Sequence, residues 1–307
     1  MLIRILKGLT LMPHTIVLGY TLYELLWFFF IYSVIGWAIE TVYESVHQRK
    51  LVNRGFLNGF YCPIYGFGML GILFALSGFF GRPLLLFLGG MAFATTLEYF
   101  TGWLMETVFG SRWWDYSENR FNIKGRICLF TSVVWGTLCM VFIEFIHPGI
   151  SRVINQLDYE TGRIVLMMIY TIGIIDFTVS LNAAIRLSSR IKALAGLKDR
   201  MLAFVLQSAP LEEAEFIKRK FRTSKIGEIL ADTAERLKNM AAETVVHNRS
   251  GLQQRLEAVR EKYEQIIGRI GLNERRFFRA FPKLRFPKLP ILSDELRDRI
   301  KSEEDKK

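Results

Sequence analysis

Thr96-Leu97-Glu98-Tyr99-Phe100-Thr101-Gly102-Trp103-Leu104-Met105-Glu106 closes an apolar run that begins near Leu84. The chain leaves that run through Gly110-Ser111-Arg112-Trp113-Trp114-Asp115-Tyr116 and reaches Asn122-Ile123-Lys124-Gly125-Arg126, where another apolar run starts. A helix needs about 20 apolar residues to cross a hydrocarbon core of about 30 Å, and the run from Leu84 is long enough. Glu98, Gly102 and Glu106 are spaced four apart, so a helix puts them on one face. Carboxylates facing lipid are costly, and this face is expected to look into protein, water or a bound polar group.

Runs of the same kind recur on either side. Of the 307 residues, 51% are hydrophobic, and they concentrate before residue 186. The pattern predicts spans at about 22–46, 64–80, 84–109, 127–146 and 164–185. The last two carry their own signals: His147-Pro148-Gly149 reads as a stop after span four, and Asp176 lies near the middle of span five. Glu40 and Glu44 share a face near the end of span one, and Glu144 lies near the end of span four. The stretch Asn53 to Gly68, with its glycines and Pro63, is expected to be irregular and re-entrant.

The expected fold is all-α: a polytopic membrane helix bundle of about five transmembrane helices with a cytoplasmic helical-hairpin or coiled-coil tail. The domains are a leader or interfacial segment over 1–21, a transmembrane helical domain over 22–186, a cytoplasmic helical region over 187–274, and a basic-aromatic strip with a disordered tail over 275–307. In the tail one helical stripe runs Ile226, Ile229, Leu230, Leu237, Met240, Ala241 and Val245. A second runs Leu252, Leu256, Val259, Tyr263, Ile266 and Ile270. From Arg275 to Lys288 basic and aromatic residues interleave with prolines, which reads as an extended strip lying on anionic lipid headgroups.

The net charge of +11 orients the chain. Arg186, Arg190, Lys192, Lys198 and Arg200 follow the last span and put the C-terminus in the cytoplasm, with the protein in the inner, or cytoplasmic, membrane. The loops at Arg54 and at 112–126 then share that side, and those at Arg82 and Arg152 lie outside. The lipid bilayer is the first partner. Nothing resembles a zinc pattern or an aromatic RNA-binding signature, so no nucleic-acid partner is expected. Cys62, Cys128 and Cys139 are far apart and read as apolar fillers. No metal and no cofactor is expected, because the carboxylates are too few for an oxygen cage. The oligomeric state stays open.

The candidate polar core, for binding or passing a substrate, is Glu40, Arg54, Asn58, Glu98, Glu106, Asp115, Asn122 and Arg126. Gly55, Pro63, Gly66, Gly102, Trp114, Tyr116 and Gly125 are the candidate structural residues. The carboxylates either line a polar path or pair with Arg54, Lys124 or Arg126 to lock helices together. Asp115 either receives Arg112 or Arg126 or forms a turn with Ser117. Trp113 and Trp114 read as interfacial anchors. No residue is assigned as catalytic.

Ser33 to Glu40, Asn53 to Gly68, Leu97 to Glu106, Trp113-Trp114-Asp115-Tyr116 and Asn122 to Arg126 together resemble the bacterial family labelled "putative type IV ABC-transporter permeases". The resemblance covers about Tyr23 to Gly149. Gly59-Phe60 departs from the Gly-Pro of many members. The resemblance implies a transport component. No G-x-x-x-x-G-K-[ST] phosphate loop occurs in the chain, so a separate ATPase subunit would supply the energy. Two alternatives from other classes stand beside it. One is an intramembrane enzyme acting on a lipid or isoprenoid; the other is a scaffold recruiting a partner through its tail.

Overall fold

The structure, a computed structural model, describes residues 16–17, 19–208, 249–287, 289 and 292–304. Most of the leader and the tail stripe from Ile226 to Val245 lie outside the described residues. The described end of the leader is extended: β1 (Ile16–Val17) pairs antiparallel with β2 (Tyr20–Thr21).

Helix α1 (Leu22–Gln48) starts on a capping box. The Thr21 N–H donates to Glu24 Oε2 at 2.7 Å, and the Glu24 N–H donates to Thr21 Oγ1 at 3.2 Å, so two free helix-start donors are satisfied reciprocally. Helix α2 (Pro63–Ala75) has Pro63 in its first turn, where the missing N–H costs nothing. The irregular stretch therefore ends at Cys62, earlier than its glycines suggest. With 13 residues, α2 is only about 20 Å long. A 3-10 turn (Ser77–Phe79) follows, then α3 (Pro83–Phe109).

A short ladder, β3 (Asn122–Ile123) with β4 (Ile127–Cys128), leads into α4 (Leu129–Val141). The expected stop at His147-Pro148 does not occur. A π turn (Phe142–Ile146) runs straight into α5 (His147–Gln156), which carries Pro148 in its first turn. The wider π turn removes the demand for a donor at Pro148. Helix α6 (Tyr159–Ser208) is 50 residues long and passes the expected end of span five. Among the described residues, four helical stretches are long and apolar enough to cross a membrane: Leu22–Gln48, Pro83–Phe109, Leu129–Gln156 and Tyr159–Arg200. The fold is an all-α helical bundle of a membrane protein.

The chain forms two compact units. The first comprises Met1–Glu106, Trp114–Asn182 and Arg279–Pro282. Its core holds Leu25, Phe28, Tyr32, Leu73, Leu86, Ile154 and Leu166. Helices α1 and α2 meet closely at small residues: a Cβ on Gly66 would lie 2.5 Å from Ser33 Oγ and 2.6 Å from the Phe29 carbonyl oxygen. Only glycine permits that approach, as in other membrane helix pairs.

The second unit comprises Thr107–Trp113, Ala183–Phe278 and Lys283–Lys307. It contains α7 (Arg249–Gly268), most of α8 (Leu272–Ala280) and α9 (Leu292–Glu304). Tyr263, Ile267 and Ile270, from the second stripe and its neighbour, are buried, as are Leu187 and Leu194 of α6. The basic-aromatic strip is helical, not extended, as far as Ala280: Phe277 and Phe278 turn inward on α8, Arg279 turns outward, and Leu284 and Phe286 are buried beyond it. The helical period separates the two residue types, so the aromatics become core. Nor is the chain end disordered up to Glu304, because Leu292, Leu296 and Ile300 bury one stripe of α9.

Candidate functional site

Four groups of polar residues in the first unit are built around Glu40, Glu98, Glu106 and Asp176. In the first, the end of α1 supplies Glu40 and Glu44, and the loop after it supplies Arg54. The Arg54 guanidinium reaches Glu40 Oε2 at 2.9 Å and Glu44 Oε2 at 3.5 Å. Tyr65 of α2 donates its hydroxyl to Glu40 Oε1 at 2.6 Å. Arg54 also donates to the Ala280 carbonyl at 2.6 Å and lies 4.9 Å from the centre of the Phe281 ring. Ala280 ends α8, so its carbonyl is one of the helix's unpaired acceptors, at the negative end of the helix dipole. Gly55, with φ 139, lets the loop turn beside Cys62. Cys62 is buried there.

Glu98 of α3 forms the second group. Its Oε1 accepts from the Tyr116 hydroxyl at 3.1 Å, and its Oε2 accepts from the Trp135 indole N–H of α4 at 3.1 Å. Both donors are neutral. The Trp135 ring stands edge-on to Tyr65, 5.7 Å between centres, so the first two groups are adjacent. Tyr116 lies outside the spans, and burial first, then the Glu98 charge, pushes its phenol up.

The third group is two turns along α3. Arg126 reaches Glu106 Oε2 through Nε at 3.2 Å and Nη2 at 2.8 Å. It also donates to the Tyr99 hydroxyl at 3.2 Å. Trp114 donates its indole N–H to the Arg126 carbonyl at 2.9 Å. Gly102 makes room for both: a Cβ there would stand 3.2 Å from the Trp114 ring and 3.6 Å from the Arg126 side chain.

Asp176 of α6 is the centre of the fourth. It accepts from the Asn58 N–H (3.1 Å), the Asn58 amide (2.7 Å), the Gly59 N–H (2.8 Å), the Tyr61 hydroxyl (3.1 Å) and the Ser180 hydroxyl (3.2 Å). This carboxylate ties the 53–62 loop to the last long helix. The Asn58 amide thus bonds Asp176 and Ser180 instead of Glu40 or Glu98.

Asp115 and Asn122 build the loop instead of the core. Asp115 Oδ1 accepts from the Ser117 N–H at 3.0 Å and its hydroxyl at 2.5 Å. Asn122 Oδ1 accepts from the Gly125 N–H at 3.1 Å. Gly125, at φ 69, takes a left-handed turn position that favours glycine. The two tryptophans are likewise not free as anchors. Trp113 is buried, with its ring 4.9 Å from Phe277 in the second unit, and Trp114 is bonded to Arg126. Trp113 is drawn inward by the ring area it buries, and Trp114 by the carbonyl its indole N–H reaches in the protein.

Tyr65, Trp135, Tyr99 and Asp176 are absent from the candidate list read off the sequence. Asp176 had a visible signal, a charge near mid-span. The aromatic donors had none, because a tyrosine or tryptophan in a span reads as apolar. Among the described residues no group of three or more His, Cys, Asp and Glu is placed to hold a metal ion.

A family model described as "Putative ABC-transporter type IV" matches residues 27–181, just over half of the 307 residues. The match runs past Gly149, so Asp176 falls within it. No curated protein and no solved structure matches the chain.

Proposed function

We propose, from the premise that the chain belongs to this ABC-transporter family, that it is the permease-like membrane component of a transport system. It has no phosphate loop of its own, and a separate ATPase subunit supplies the energy. The chain crosses the cytoplasmic membrane several times with its C-terminus in the cytoplasm, as the basic residues after Asn182 direct.

Tyr65, Glu98, Tyr116 and Trp135 are the polar lining of the passage in this reading, with the Glu40–Arg54 pair beside them. The observation that carries it is Glu98. A structural carboxylate in a span is expected to be matched by a cation or by many donors. Glu98 is held by two neutral ones, close to a second carboxylate, and so retains capacity for a cationic or hydroxylated substrate. Glu106 and Asp176 are fully engaged and belong to the scaffold.

The test is purification from native membranes in mild detergent, with mass spectrometry of what stays bound. A stoichiometric ATPase, and ATP-dependent uptake lost in Glu98→Gln, are the expected results. A bound lipid or isoprenoid with no ATPase sinks the transport reading. It would favour acid–base chemistry by Glu98 on that molecule, checked by membrane lipid composition in the same variant.

A further inference from the structure

The segment between α3 and α4 joins two helical stretches long and apolar enough to cross a membrane, Pro83–Phe109 and Leu129–Gln156, and a link between two crossing helices lies at a membrane boundary. Its tip is the β3–β4 hairpin. Lys124 and Gly125 both take left-handed backbone, φ 53 and φ 69, and the Arg126 N–H closes the turn on the Ile123 carbonyl at 3.1 Å. That is the tight turn whose twist matches paired strands. One side of the hairpin, Ile127 and Cys128, is buried.

The other side is apolar and uncovered. Phe121 is 78% exposed and Ile123 54%, continuous with Leu129 and Phe130 at the start of α4. Phe121 is itself held at φ 53, its carbonyl accepting from the Leu129 N–H at 3.3 Å. A bulky residue resists that conformation, and here the cost holds an aromatic ring outward. Arg120 and Lys124 are exposed on the same tip, against one carboxylate, Glu118. Trp113 and Trp114 are engaged inside the protein and leave the boundary to these residues.

We propose that this hairpin is a membrane-interface anchor. Phe121 and Ile123 insert at headgroup depth, and Arg120 and Lys124 meet anionic phospholipid headgroups. Aromatic rings are favoured at that depth, and each basic side chain gains from an anionic leaflet. The inference does not depend on what the protein moves.

The experiment places a nitroxide on Ile123→Cys in the full chain in nanodiscs. Cys62, Cys128 and Cys139 are buried, and peptide mass spectrometry checks that the label sits at position 123 alone. Collision with oxygen, which concentrates in lipid, is compared with collision with a nickel chelate, which stays in water. A label on Glu118→Cys is the aqueous reference. The expected result is an oxygen-to-nickel ratio several-fold above the reference, and higher in phosphatidylglycerol than in phosphatidylcholine. A ratio equal to the reference puts the tip in water and overturns the proposal. Exclusion of both reagents means that protein covers the tip, and overturns it too. The same ratio in both lipids overturns the headgroup assignment.

Discussion

Glu98 and Glu106 stand on the same helix, two turns apart, in opposite surroundings. Glu106 is closed by a two-nitrogen contact from Arg126. Glu98 has a hydroxyl and an indole. The i, i+4 spacing that groups them says nothing of this, because the groups that distinguish them come from elsewhere: Arg126 and Tyr116 from the loop after α3, Trp135 from the next helix. A buried carboxylate is structural or available according to how fully its charge is compensated. Asp176 marks the far end of that scale with five donors, none of them charged.

Four substitutions would break or sharpen this contrast, taken by expected effect on stability. Arg126→Ala should cost most, about 3–4 kcal/mol, because it strands a largely buried carboxylate. Thermal unfolding in detergent measures this, and adding Glu106→Gln should recover part of the loss; no recovery would mean that Arg126 acts through other contacts. Asp176→Ala should cost about 2–3 kcal/mol by orphaning the donors of the 53–62 loop. Limited proteolysis should then cut that loop faster than the helices, and unchanged cleavage would count against the tether.

Trp114→Phe removes one hydrogen bond to the Arg126 carbonyl and should cost about 1 kcal/mol, read as a small drop in melting temperature. Glu98→Gln should cost least, under about 1 kcal/mol. The new amide can donate to Tyr116 and still accept from Trp135. Transport should nevertheless be lost in this variant while its melting curve barely moves. A large destabilisation instead would place Glu98 with Glu106 among the structural carboxylates.

The tail gives the same lesson in apolar terms. Between Arg275 and Lys288 the sequence shows alternating charge and aromatic rings, and either a membrane surface or a protein core satisfies that pattern. The helix of α8 decides for the core, with Phe277 and Phe278 on its inner side. Ala280 and Phe281 lie against Arg54, a pairing across 226 positions that no local reading could reach.

Sequence alone determined the long apolar helices, their approximate limits, the family and the residues whose burial needs explanation. These follow from local quantities: hydropathy summed over about 20 residues, helical period, and the cost of charge in hydrocarbon. Tertiary structure decided which cation meets which carboxylate, which tryptophans stay inside, and that Pro148 follows a π turn instead of ending a helix. Those outcomes depend on atoms brought within about 3 Å from distant positions, and the one-dimensional pattern carries no distance between them.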